Sequence, residues 1–468
     1  MPTLLWTDGL IFLLLFMVVM FVLHVRRHEH LLRPWRSVLR SRVAMASAVI
    51  LSVYLVIGLL DSLHFHPKLD NPKAEQAQYS TKINSVFDVL VSHLLEQDEK
   101  TYSAPFAAYQ YSKETIELSD GSTVRELPRL KFGGAHLTDP DSEKVSDIFN
   151  RTLVASTKAL VVFIVMIGLI TWRIAAKKSW PFSNVIKSIL KGEMETPWKV
   201  IFITLGMSFW VLIIAWDLSH AYHIFGTDKV GQDVYYQAMK SIRTGLIIGT
   251  LTTLVMLPFA VLMGISAGYF RGWIDDVIQY IYTTLNSIPG VLLIAASILM
   301  LQVYMANHAE DFASLAARSD MRLLFLCIIL GVTSWTGLCR LLRGETMKLR
   351  EVDYIQAAQA FGVGHMTIIL RHILPNVMHI ILISVVIDFS GLVLAEAVLS
   401  YINIGVDPSM NSWGNMINSA RMEMAREPVV WWALAASFIF MFVLVLAANL
   451  FSDAVRDAFD PRLREREE

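Results

Sequence analysis

The chain has 468 residues, 54% of them hydrophobic and 17% charged, with a mean hydropathy of +0.50; this apolar excess excludes a water-soluble enzyme. Its formal net charge of −1 leaves no electrostatic footprint for nucleic acid as a partner. Cys327 and Cys339 would lie about 18 Å apart along one helix, too far for a disulfide, and the chain has no Walker A, G-x-G-x-x-G, H-E-x-x-H or G-x-S-x-G pattern.

A bilayer core of about 30 Å takes about 20 mostly apolar residues in a helix, because backbone groups find no water there. Nine stretches meet that length: 4–23, 43–61, 154–173, 200–217, 242–268, 276–302, 322–342, 373–400 and 431–452. The first reads as a retained anchor (1–30) and not a signal peptide, since its Arg26-Arg27 pair follows the apolar run and no small-residue cleavage site is evident. The second crossing belongs to 31–61. Residues 62–153 carry charges of both signs, a helix-like piece at 83–99, and strand-like pieces at 114–118 and 123–130 around Asp120-Gly121 and Gly133-Gly134. They read as a small α+β domain. Residues 154–220 hold a pair of crossings joined by a loop containing Lys177, Lys178, Lys187 and Lys191.

Orientation follows from loops rich in Lys and Arg staying in the cytoplasm. Arg33, Arg36, Arg40 and Arg42, then the 173–199 loop, then Arg340, Arg343, Lys348, Arg350 and Arg371 all fall on one side of a nine-crossing chain. The N-terminus is therefore expected outside, the C-terminus inside, and 62–153 outside. His64 and His66 read as an interfacial pair, and Trp431-Trp432 as an aromatic belt.

The loop after the seventh crossing is the most informative. Tyr354, Ala357, Ala358 and Phe361 recur at i, i+3, i+4 and i+7, an apolar face on a short helix outside the bilayer. Asp353 and Gln356 suggest a capping box, and Gly362 a left-handed C′ residue. Such a helix suits either the groove of a partner protein or packing on its own bundle or on the membrane surface. In the eighth crossing Asp388 and Glu396 lie about 80° apart around the helix axis. Intramembrane carboxylates face a cavity or a partner, so both are candidates for the translocation path, with a structural hydrogen bond the alternative for Glu396. Trp413 sits in a loop, open equally to contact with another protein and to belt packing.

Tyr354-Ile355-Gln356-Ala357-Ala358-x-x-x-Gly362, continuing to Ile373-Leu374-Pro375-Asn376, resembles the E-A-A-x-x-x-G…I-x-L-P loop of binding-protein-dependent ABC importer permeases. The likeness is to the second permease of the dipeptide/oligopeptide/nickel group. Five further matches follow the family's order over 221–462: Phe225-Gly226-Thr227-Asp228-x-x-Gly231-x-Asp233; Ala267-Gly268-Tyr269-x-x-Gly272-Trp273-x-Asp275; Leu394-Ala395-Glu396-Ala397-x-Leu399-Ser400-Tyr401; Ser412-Trp413-Gly414-x-Met416; and Asp453-x-x-Arg456-Asp457-x-x-Asp460-Pro461-Arg462. Arg33-Pro34-Trp35-Arg36-x-x-x-Arg40-Ser41-Arg42 is similar to the family's N-terminal crossing. Gln356 stands where the family usually has Glu, and Gln232 where it has Arg.

The resemblance implies an all-α polytopic permease of the type I importer fold over 221–462, with a coupling loop at 343–372 and a cytoplasmic tail at 463–468. Tyr354, Gln356, Ala357, Ala358, Phe361 and Gly362 would meet an ATPase subunit. It further implies a homologous permease partner, two cytoplasmic ATPases that bind ATP and magnesium, and an extracytoplasmic substrate-binding protein. No cofactor or metal is expected in this chain. Peptides are the implied cargo, with nickel or another small solute as the alternative. Outside the resemblance stand a proton-coupled secondary transporter using Asp388 and Glu396, and a membrane scaffold built around 62–153.

Overall fold

A computed structural model describes residues 2–69, 78–80, 83–117, 123–308, 310 and 314–459. The chain is mostly helical. In order it forms β1 (Pro2–Thr3), α1 (Trp6–Arg27), α2 (Glu29–Arg40), α3 (Arg42–Asp61), β2 (His64–Phe65), β3 (Lys68–Leu69), β4 (Gln78–Tyr79), β5 (Asn84–Ser85), α4 (Val86–Leu90), α5 (Ser92–Glu96), β6 (Glu114–Glu117), β7 (Thr123–Glu126), α6 (Pro140–Lys178), α7 (Phe182–Lys191) and α8 (Trp198–Ser219). Then follow α9 (Val234–Phe270), α10 (Trp273–Ser287), α11 (Gly290–Asn307), α12 (Leu315–Ser334), α13 (Thr336–Arg350), α14 (Asp353–Ala360), α15 (His365–Ile368), α16 (Leu374–Tyr401), α17 (Trp413–Glu423) and α18 (Trp432–Phe459).

Among the described residues nine helical spans are long and apolar enough to cross a membrane: Trp6–Arg27, Arg42–Asp61, Pro140–Lys178, Trp198–Ser219, Val234–Phe270, Gly290–Asn307, Leu315–Arg350, His365–Tyr401 and Trp432–Phe459. The sixth differs from the 276–302 expectation. Ile288 is extended before Pro289 (φ −90°, ψ 129°), because the proline ring disfavours a helical residue before it, and α10 and α11 are separate helices. α10, with 15 residues and two acids in its first turn, is too short to span. α6 starts at Pro140, so its first turns fall inside 62–153. The 83–99 helix resolves into β5 and two five-residue helices, α4 and α5. β6 and β7 pair antiparallel, with Thr115 opposite Arg125. The Asp120-Gly121 turn between them, and Asp460-Pro461-Arg462 with the 463–468 tail, lie outside the described residues.

The chain divides into two compact units. The first comprises Met1–Thr3, Trp35–Thr244 and Asn411–Ala454. Here β2 joins β1 and β5 in a three-stranded antiparallel sheet, α8 packs on α6 and α3, and Phe87, Val91 and Leu94 meet Tyr235, Tyr236 and Met239 in one apolar cluster. The second comprises Leu4–Pro34, Gly245–Met410 and Val455–Glu468. α1 is held there by Thr7, whose backbone N–H (3.2 Å) and hydroxyl both donate to the buried Asp320 carboxylate of α12. One core of the second unit gathers Ile247, Ile248 and Leu251 with Ile294, Ile298, Leu323 and Leu326. The other gathers Met256, Ala260, Tyr282, Leu338 and Leu342 with Ile355, Ile368, Ile373 and Val377.

Candidate functional site

The loop helix α14 is eight residues long, shorter than an isolated helix can sustain in water. Three features of the second unit hold it. Ile355 is fully buried and, with Ile368 and Ile373, plugs into the core of α10, α13 and α16. The C-terminus closes in a Schellman motif: Gly362 N–H donates to Gln359 O and Val363 N–H to Ala358 O, both at 3.0 Å, with Gly362 at φ +74°. The third is a set of polar struts. Arg343 grips Asp275 of α10 through Nε (2.6 Å) and Nη2 (2.7 Å), and this guanidinium holds the Asp275 carboxyl below its usual range. Arg350 donates to Tyr269 O at 2.9 Å, Arg271 pairs with Glu351 at 2.6 Å, and the Tyr269 hydroxyl lies 2.9 Å from His365 Nδ1.

The N-terminus differs from the expected capping box. Val352 is the N-cap, without a side-chain bond, and Asp353 is already helical, where its charge favours the helix dipole. The Gln356 amide instead donates to Glu351 O at 3.2 Å. A turn from Lys348 and Leu349 to Glu351 and Val352 carries the chain directly into α14 and leaves no free Ncap side chain.

On the outer side Tyr354 is 45% exposed, Phe361 87% and Met366 70%, and Asp353, Gln356, Ala357 and Ala360 are also exposed. Ala358 departs from the expected face: it is half-buried and packs on the core beside Val363. The presented surface is therefore Tyr354, Ala357 and Phe361. Tyr354 is steadied by the Asn376 amide, which donates to its hydroxyl at 2.9 Å. Between α15 and α16 the chain makes a π turn, Ile369–Ile373. It ends just before Pro375, whose missing N–H and bulky ring perturb the preceding turn. The I-x-L-P part of the motif thus joins the loop helix to a membrane span.

α16 carries both intramembrane carboxylates. Glu396 is 2% exposed and accepts a hydrogen bond from Ser400 Oγ at 2.7 Å; Asp388 is half-buried. Trp413 is not presented to a partner: it is 1% exposed and its indole N–H donates to Ala238 O at 3.0 Å, so it anchors α17 on α9 from within. Among the described residues no group of three or more His, Cys, Asp or Glu is arranged to hold a metal ion, and His64 is a strand residue of the small sheet.

Sequence reasoning gave no role to Asp275 and did not find Ile355 or Ile368. Asp275 was visible as the last residue of the Ala267–Asp275 match, but its partner Arg343 is distant in sequence.

Long apolar spans, with a braced loop helix that exposes apolar residues on its outer side, define a polytopic membrane protein. Residues 260–465 match the family described as binding-protein-dependent transport system inner membrane component. The chain is 32% identical over 242 residues to the glutathione transport system permease protein GsiD of Pectobacterium atrosepticum, covering 52% of this chain and 73% of that protein. It is 27% identical over 274 residues to the oligopeptide transport system permease protein OppC of Haemophilus influenzae (57% and 81%). The dipeptide transport system permease protein DppC of Lactococcus lactis is 31% identical over 243 residues (52% and 65%). A solved MetNI methionine ABC transporter chain is 15% identical at a TM-score of 0.34, over 47% of this chain and 96% of that one, a likeness that carries no argument. The chain belongs to the family of binding-protein-dependent transport system inner membrane components, the multi-pass permeases of bacterial ABC importers. That membership replaces both the proton-coupled and the scaffold readings.

Proposed function

We propose that this permease forms half of the membrane path of an ATP-driven peptide importer and is driven through α14. The reading is carried by the outward Tyr354–Ala357–Phe361 face on a helix whose other side is locked by Ile355, the Gly362 cap and the Arg343–Asp275 pair. A face that is apolar, exposed and rigidly backed suits the groove of an ATPase subunit. Closure of that subunit on ATP would shift the permease between inward and outward states, with the π turn at Ile369–Ile373 passing the displacement to α16.

In this reading the N-terminus and 62–153 are extracytoplasmic, the 343–372 loop is cytoplasmic, and a homologous permease completes the pathway. Two ATPases supply the ATP and magnesium chemistry, and a binding protein delivers cargo. The names of the relatives support a peptide or glutathione-like cargo. Asp388 lines the path as a partner for a cargo ammonium, while Glu396, already bonded to Ser400, serves α16 itself. The test is co-purification of the ATPase subunits and peptide uptake with Ala357→Trp. Loss of both is expected; normal ATPase association and uptake in that variant would refute the assignment.

A further inference from the structure

Residues 62–139 have no place in the family motifs, and the Phe225–Asp233 match has so far no role. In the first unit the two are locked together. Thr227 N–H donates to Ser103 O (3.1 Å) while Ser103 N–H donates to Thr227 Oγ1 (2.7 Å), whose hydroxyl donates to Thr101 O (2.8 Å). Glu99 N–H reaches Gly231 O (3.0 Å), Phe106 N–H reaches His223 O (2.9 Å) and Gly134 N–H reaches Ala221 O (2.8 Å). The approach is so close that a Cβ at Gly231 would stand 1.8 Å from Glu99 O. The motif's glycine is therefore the seat of the inserted segment.

A charge cluster is buried under this seam. His223 Nδ1 lies 2.7 Å from Asp233 Oδ2, its Nε2 lies 3.5 Å from Glu99 Oε1, and all three side chains are shielded from solvent. The Glu99 carboxylate also accepts the N–H groups of Lys131 (2.9 Å), Phe132 (2.7 Å) and Gly133 (3.2 Å). A second cluster stands beside it: Asp88 of α4 accepts the Tyr236 hydroxyl (2.8 Å) and the Lys240 ammonium of α9, and Lys240 also lies 3.4 Å from Asp61 at the end of α3. From the seated loop the Trp432 indole, at the start of α18, donates to Thr227 O at 2.9 Å, and Tyr111 of the inserted segment donates to Val429 O at 3.0 Å.

We infer that Glu99 and His223 are positioning residues for transport. They form a buried carboxylate–imidazolium–carboxylate latch with Asp233 that seats residues 99–117 and 123–134 on the 221–233 loop and holds the first turns of α9 and α18 to it. A buried ionic set is stable only while every member is present, because removing one leaves an uncompensated charge. That makes a latch a register device more than a source of net stability. The inserted segment is then a fixed brace of the permease and not a module on a tether. Its role in transport rests on the import reading above; the docking itself does not.

The charged groups facing the His223 ring are Glu99 from the inserted segment and Asp233 from the loop, and Asp233 is faced in turn by His93. Burial alone would lower the His223 pKa, but the hydrogen bond to Asp233 and the nearby Glu99 carboxylate outweigh it and raise the value to about 9. The experiment uses the assembled importer in lipid nanodiscs for hydrogen exchange and in proteoliposomes for peptide uptake, with wild type, Glu99→Gln, Glu99→Asp and Lys100→Gln. In wild type, protection of peptides covering 99–134 and 221–233, taken relative to the base-catalysed intrinsic exchange rate at each pH, falls together with uptake as pH passes about 9. Glu99→Gln shows both changes already at pH 7, roughly tenfold in exchange for a loss of about 1.4 kcal/mol. Glu99→Asp restores part of each, and Lys100→Gln changes neither. Protection unchanged from pH 7 to 10 in wild type, with Glu99→Gln unchanged, overturns the latch; the wild-type pH series alone suffices for this should a variant fail to assemble. Faster exchange with uptake intact overturns the positioning role. Wild-type nanodiscs that show the latch while proteoliposomes show no peptide uptake overturn the import reading alone.

Discussion

Replacing Gly362 by alanine tests whether α14 must be ordered to work. Gly362 sits at φ +74° and no heavy atom lies within 4 Å of the position its Cβ would take, so the substitution adds backbone strain without a clash. An L-residue in that region costs about 1–2 kcal/mol. For a helix of eight residues that has no N-terminal side-chain cap, this is a large share of its local stability, and at about 1.4 kcal/mol the closed-to-open ratio of the loop falls tenfold. The Schellman bonds from Gly362 and Val363 open first, while Ile355 stays in the core.

The measurement is hydrogen exchange of the 351–364 peptide at 25 °C, alongside coupled ATP hydrolysis and peptide uptake by the reconstituted importer. Gly362→Ala is expected to speed exchange between five- and thirtyfold and to lower uptake in step. Gly344→Ala is the control: this glycine lies inside α13 with open space at its Cβ position and no positive φ, so alanine there is neutral or stabilises by about 0.5–1 kcal/mol. Wild-type exchange in Gly362→Ala, or equal losses in both variants, would refute the need for an ordered helix.

Phe361→Ala removes a side chain that is 87% exposed, so thermal unfolding should shift by no more than about 0.5 kcal/mol equivalent while the ATPases no longer co-purify; a stability loss with association intact contradicts the assignment. Arg343→Lys replaces a two-pronged grip on Asp275 by a point charge, expected to destabilise the loop by about 1–3 kcal/mol and to raise the ATP consumed per peptide imported. The pH profile of thermal stability should carry two edges from the inserted segment. His223, raised from 6.5 to about 9, contributes about 3 kcal/mol that is fully present below pH 6.5 and lost as pH rises through 9. Glu99, despite burial that would raise it, is lowered from 4.5 to about 2 by His223 and the N–H groups of Lys131, Phe132 and Gly133, so its contribution is present above pH 4.5 and lost as pH falls through 2. Calorimetry of Glu99→Gln and His223→Gln should flatten the alkaline edge; an unchanged edge there speaks against the pairing.

The spans were legible because a bilayer demands long apolar runs, and the loop helix because Tyr354, Ala357 and Phe361 recur at helical spacing and Gly362 ends the run. What escaped reading depends on contacts and local turns that spacing alone does not reveal. Trp413 lies in a loop motif open to either role, and only the acceptor at Ala238 O decides that its indole turns inward. Ala358 shares the apolar spacing of Tyr354 but leans into the core, because Ile355 sets the rotation of the helix by being buried. Asp353 and Gln356 have the right separation for a capping box, yet the turn at Glu351 and Val352 places the helix start one residue early.

The loop uses some of its residues within the fold and displays others. Ile355, Gly362, Asp275 and Arg343 each satisfy a demand inside the second unit: burial, a left-handed cap, a paired charge. Phe361 and Met366 satisfy none, since both stand exposed and leaving large apolar side chains in water is unfavourable. In the proposed reading their stabilising contribution arises on assembly, when the ATPase removes that surface from water. In the proposed reading a loop whose interior residues are spent on rigidity and whose outer residues gain nothing until covered receives a push from the ATPase, and a displacement applied to Phe361 would meet a stiff helix and pass through the π turn into α16.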